Sequence, residues 1–141
     1  MPRKAAKKKR EPERDYSHRL LIDKLGLKPG QKVVVLGVED TAFLKDLSAR
    51  VPEFSSEISM GDADLIFFQA EDVKELVRLK ILARAIQKNG AIWVITPKGR
   101  KDIRDIEVIA AGKAAGLTDN KVVGFSATHT SLRFCIPLGK R

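Results

Sequence analysis

The sequence predicts an α/β domain, a mostly parallel sheet with helices on both faces and an antiparallel hairpin at its C-terminal end. Three observations predict it. The runs Val33–Leu36, Ala63–Phe68 and Ala91–Thr96 are short, nearly continuous in apolar residues and bounded by turn residues, the pattern of strands covered on both sides. Segments of helical periodicity separate them, and such alternation calls for right-handed crossovers between parallel strands. The chain then ends on two adjacent strand-like runs, "KVVGFS" and "SLRFCIP", joined by "ATHT".

In chain order, Ser17 can cap a short helix through Leu20, Leu21 and Leu25, stopped by Gly26, and Pro29-Gly30 makes the turn into the first strand. After Gly37, either Asp40 or Thr41 can cap a helix whose Phe43, Leu47 and Val51 recur at four-residue spacing, with Pro52 closing it. "FSSEIS" is a weak, short strand, and "ADLIFF" a stronger one. Glu71 and Asp72 suit the start of the next helix, where their charge meets the positive end of the dipole. That helix is read from Val73 to Lys88, with Val73, Leu76, Val77, Leu79, Leu82, Ala83 and Ile86 as its buried stripe. Lys80, Arg84 and Lys88 form a ridge on its other side, and Asn89-Gly90 is its stop.

After "AIWVIT", Asp102 can cap a helix facing Ile103, Ile106, Ala110, Ala114 and Leu117 inward, with Gly116 as its C-terminal turn. Gly112 inside it costs about 1 kcal/mol relative to alanine, which points to a close approach to the sheet. In the hairpin, Leu132, Phe134 and Ile136 alternate with Arg133 and Cys135.

Composition bounds the function. A chain of 141 residues with 43% hydrophobic content suffices for one domain. The single Cys135 offers no disulfide and no zinc spacing, and is read as a small buried side chain. No apolar run approaches the roughly 20 residues of a membrane span. The N-terminal basic run leads into Glu11, Pro12 and Glu13 rather than an apolar signal segment, so a cytoplasmic protein is expected.

The net charge of +9 is uneven. Residues 1–14 hold seven basic and two acidic side chains, +5, while the rest of the chain carries +4. The expected organisation is a disordered basic tail, 1–14, and a single domain, 15–141. Lys7, Lys8, Lys9 and Arg10 form an arm that can lie along phosphates, its affinity falling with salt, or a merely solubilising terminus.

In order along the chain, "LGLKPGQKVVVLG", "ADLIFF", "AIQKNGAIWVITPKG" and "AAGLTDNKVVGFSATHTSLRF" resemble the corresponding pieces of class I S-adenosylmethionine-dependent methyltransferases. "IWVITPKG" and the "SLRF" segment resemble a family of small bacterial proteins defined only as a domain of unknown function. The resemblance implies a shortened, Rossmann-like methyltransferase fold. It implies a cofactor loop at Gly37, a ribose-binding carboxylate at Glu57, about 20 residues on, and a nucleophile-orienting residue at Gln69.

The match is incomplete. Gly37 supplies one glycine where the family carries a glycine-rich turn, with Val38, Glu39 and Asp40 where it opens space. Glu57 lies inside "FSSEIS" and reads first as a solvent-facing strand residue, with the ribose contact as the alternative, and "QAED" lacks the family's prolines. His129, in the hairpin turn, reads as an ordinary turn residue, with general-base duty as the alternative. Beyond the strand "AIWVIT", Lys98, Arg100, Lys101 and Arg104 crowd the rim where open α/β sheets bind ligands; with a helix start behind them they suit an anion, and they read equally well as a charged surface loop kept soluble by its lysines.

The expectation is therefore a non-catalytic methyltransferase-like module, with no cofactor. It would bind nucleic acid or an acidic protein surface through tail and rim. The alternative is an S-adenosylmethionine-dependent enzyme with an atypical site.

Overall fold

The computed structural model describes residues 21–141, so the Ser17 cap and the basic tail lie outside the described residues. Five strands form one sheet. They are β1 (Val33–Leu36), β2 (Ala63–Gln69), β3 (Ile86–Pro97), β4 (Thr118–Gly124) and β5 (His129–Cys135), in the spatial order β1-β2-β3-β5-β4. β1, β2 and β3 are parallel, and β5 runs antiparallel to both β3 and β4. The α/β class, the mostly parallel sheet and the terminal hairpin agree with the sequence pattern.

Alternation along the strands divides the core in two. Val33, Val35, Leu65, Phe67, Trp93 and Ile95 meet α1 (Thr41–Arg50) through Phe43 and Leu47. Val34, Ile66, Phe68, Ile92, Val94 and Phe134 meet α2 (Leu79–Ala85) and α3 (Asp105–Ala114) on the other face. Asp40, the first of the two caps considered, accepts the Phe43 N–H at 2.9 Å and starts α1. The close approach expected of Gly112 is present: a β-carbon there would lie 2.2 Å from Phe134 Cε1.

Four local readings are corrected. "FSSEIS" forms no strand; only Ser55 pairs, in an isolated parallel bridge to Val34. The helix expected over Val73–Lys88 is a 3-10 helix, Val73–Arg78, followed by α2, and β3 already begins at Ile86. Across the two helices the buried residues, Leu76 in the 3-10 turn and Leu79, Leu82 and Ala85 in α2, recur every three positions. Val73, Val77 and Ile81 therefore face water, Val77 with 63% of its surface exposed, and the ridge is broken because Lys88 belongs to the strand.

Asn89-Gly90 does not terminate a helix. It lies in an irregularity of β3, where the register passes from Ala63↔Ile86 to Leu65↔Ala91, so five residues of β3 advance against two of β2. Finally, Asp102 is bound to Arg100, and α3 begins three residues later with Glu107 Oε1 accepting the Arg104 N–H at 2.6 Å. The later start turns Val108 and Gly112 inward, and leaves Ile106, Ala110 and Ala114 exposed.

The corrected periodicity has a measurable consequence. Leu76→Ala is expected to cost about 2–4 kcal/mol, because it empties a core position. Val77→Ala should stay within about 0.5 kcal/mol, because Val77 is exposed. Urea titrations of the two variants check this, and a larger loss for Val77→Ala would restore the original stripe.

Candidate functional site

The carboxyl ends of β1, β2 and β3 and the start of the reversed β5 share one edge of the sheet, since His129 stands opposite Pro97 in the β3–β5 ladder. Ligands of open α/β sheets bind at such an edge. Gly37 follows β1 with φ +73°, a left-handed conformation that favours glycine, and a β-carbon there would stand 3.3 Å from the Gln69 carbonyl oxygen. Of the three residues expected to crowd the Gly37 turn, Val38 is withdrawn into the core and Asp40 is committed to α1. Glu39 is exposed.

Glu57 is an exposed residue two positions beyond the Ser55 bridge, on no strand, its N–H bonded to Ser55 Oγ at 3.0 Å. Gln69 ends β2. Its Nε2 donates to Glu71 Oε2 at 2.7 Å.

Sequence reasoning missed what Glu71 does. Rather than serving a helix dipole, its Oε2 lies 3.0 Å from His129 Nε2, while His129 Nδ1 lies 2.8 Å from Thr128 Oγ1. His129 is the first residue of β5, not a turn residue, and it is held in this array by side chains on both ring nitrogens. Arg100 approaches Glu71 Oε1 at 3.8 Å. No local pattern signals the pair, because 58 residues separate its members and only the return of β5 beside β3 joins them.

For the Glu71 carboxyl, desolvation by burial favours the neutral form, but the hydrogen bonds with His129 and Gln69 and the charges of His129 and Arg100 outweigh it. The carboxyl is held below its ordinary range. A lowered folded-state pKa contributes stability that is present above the unfolded value and lost as pH falls through the folded one. Glu71→Gln should therefore flatten the acid limb of the stability curve and leave its shape near neutrality unchanged. Urea midpoints measured from pH 7 down to about pH 3 test this, and an unchanged acid limb would remove Glu71 from the linkage.

The rim loop after β3 brings the four expected cations together. Lys98, Arg100, Lys101 and Arg104 all line one open cleft of ≈ 690 Å³, with Ile103, Ile106 and Thr130 among its other walls. Their charges are not equally available. Arg100 is held by Asp102 at 2.8 Å and Arg104 by Glu107 at 3.2 Å, whereas Lys98 and Lys101 form no ion pair among the described residues. The start of α3 is also less free than expected, because Glu107 already accepts the Arg104 N–H there and Asp105 adds a second carboxylate.

Lys7, Lys8, Lys9 and Arg10 lie outside the described residues. Among the described residues there is no group of three or more histidine, cysteine, aspartate or glutamate side chains able to hold a metal ion, and no helix long and apolar enough to cross a membrane.

A five-stranded sheet with one reversed strand, helices on both faces and a rim at the strands' carboxyl ends define the Rossmann-like fold of S-adenosylmethionine-dependent methyltransferases. A SAM-dependent methyltransferase from Aquifex aeolicus superposes with a TM-score of 0.65 at 17% identity, over 85% of this chain and 89% of that one. A TehB-like SAM-dependent methyltransferase from Corynebacterium glutamicum gives 0.56 at 14% identity, over 85% and 87%. The magnesium protoporphyrin IX methyltransferase of Synechocystis, solved with bound SAM, gives 0.62 at 13% identity, over 91% and 80%. No family model matches the chain, and no curated protein does. At these identities the likeness establishes the fold.

Proposed function

We propose that this protein is a methyltransferase-fold binding module that engages an acidic partner, nucleic acid before an acidic protein surface, through the basic rim cleft. The observation that carries the reading is the convergence of Lys98, Arg100, Lys101 and Arg104 on that cleft, two of them with no carboxylate partner among the described residues. Cations that are not internally neutralised gain affinity for phosphates by releasing counterions. The basic run Lys7–Arg10 would add to the same attraction from the N-terminal side of the sequence.

The test is anisotropy of labelled duplex DNA and RNA titrated with the full chain at several salt concentrations. Binding that weakens with a logarithmic slope of about −0.9 per phosphate neutralised on duplex DNA is the expected result. Absence of binding at low salt would overturn the reading.

A second reading, an S-adenosylmethionine-dependent methyltransferase, is favoured by the left-handed Gly37 beside the Gln69 carbonyl. A cofactor's amino-acid end would meet Gly37 there, with Gln69 and the Glu71–His129 pair next to it. The ribose contact fits less well, because Glu57 lies beyond the one bridged residue that ties its segment to β1. Calorimetric titration with S-adenosylmethionine separates the two readings: no heat is expected from the binding module, and micromolar binding would transfer the proposal to the enzyme.

A further inference from the structure

On the face of the sheet that carries Trp93, away from the rim, a cavity of ≈ 460 Å³ opens between the turn after residues 21–24 and the β4–β5 hairpin. That volume falls in the range of small-molecule sites, about 300–1,000 Å³. Leu25, Leu65 and Trp93, all buried, form its floor, with the Trp93 indole N–H donating to the Leu25 carbonyl at 3.0 Å, and Gln31, Asn89 and Asn120 are among its polar walls.

The charges around the cavity do not cancel. Lys24, Lys28, Lys121 and Arg133 line it against Asp23 and Asp64, four cations to two carboxylates, and each carboxylate already has a partner. Asp23 Oδ1 binds Arg50 Nη1 at 2.6 Å, and Asp64 Oδ2 accepts the Lys32 N–H at 2.9 Å. The Lys121 ammonium is anchored over the end of the helical turn, 3.3 Å from the Lys24 carbonyl oxygen.

Arg133 stands between Trp93 of β3 and Lys121 of β4 in the two ladders. It is half-buried, and its side chain makes no hydrogen bond or ion pair among the described residues. A partly desolvated guanidinium keeps five donors in a fixed fork suited to an oxyanion.

We propose that this cavity binds a small phosphorylated metabolite, with Arg133 and Lys121 holding the phosphate and Gln31, Asn89 and Asn120 hydrogen-bonding its polar organic body. A compact ligand suits the site because the cations ring a concavity rather than a ridge. Lys24 and Lys28 add attraction at its mouth. The inference stands apart from the rim cleft and shares no residue with it.

Trp93 is the only tryptophan in the chain, so its emission reports occupancy directly. The full chain is titrated at constant ionic strength with adenosine monophosphate, ribose 5-phosphate and inorganic phosphate, with chloride as control. A saturable change in emission is expected with the two phosphate esters. Its midpoint should rise about tenfold or more in Arg133→Gln and in Lys121→Gln, and hold in Lys98→Ala.

Lys121 is exposed, so its variant carries the test if Arg133→Gln does not fold. No saturable change below about 10 mM ester, or equal midpoints in the wild type and both variants, would overturn the proposal. So would a duplex DNA that competes for the site and loses affinity in the same variants, because the face would then be a nucleic-acid surface.

Discussion

Gly112→Ala is expected to destabilise the protein by about 1–3 kcal/mol, although helix propensity alone predicts a gain of about 1 kcal/mol. The two effects oppose each other, and geometry decides between them. The new methyl group would stand 2.2 Å from one Phe134 ring carbon and 2.6 Å from another, far inside contact distance. Phe134 is fully buried on β5, so its ring has nowhere to turn without disturbing the layer beneath α3. Chemical denaturation of the variant measures the loss. The double variant Gly112→Ala with Phe134→Leu should lose less than the sum of the two single changes, because the smaller side chain gives back the space. A neutral or stabilising Gly112→Ala would mean that α3 sits farther from the sheet.

The largest functional effect is expected from Lys98→Glu combined with Lys101→Glu, which should weaken binding to duplex DNA or RNA more than tenfold at low salt and flatten the salt dependence. Each lysine that neutralises one phosphate of duplex DNA contributes about 0.9 to the slope, and reversing its charge adds repulsion. Arg104→Ala should do less, since its guanidinium already shares its charge with Glu107 at 3.2 Å. Both lysines are exposed, so the double variant should keep its urea midpoint to within about 0.5 kcal/mol. An unchanged slope in a folded double variant would take the rim out of the binding reaction.

How much of this was legible depended on distance along the chain. The buried strands, the Asp40 cap and the Gly112 approach follow from local pattern and agree with the structure. The stretch from Val73 to Lys88 does not, because a run rich in leucine fits a period of three as well as 3.6, and only packing against the sheet chooses between them. The candidate site divides in the same way. Gly37, Gln69 and the Lys98–Arg104 cluster could be named from where they stand next to strand ends. The Glu71–His129 pair, and the placement of Arg133 against Trp93, require the strand order, which no single segment encodes.

That order also bears on how the chain matures. β5 fills the gap between β3 and β4, so a nascent polypeptide stalled before His129 would present both neighbours as open edges, competent to pair with other chains. Arrival of β5 would close both gaps in one step, because the same strand pairs with β3 on one side and β4 on the other.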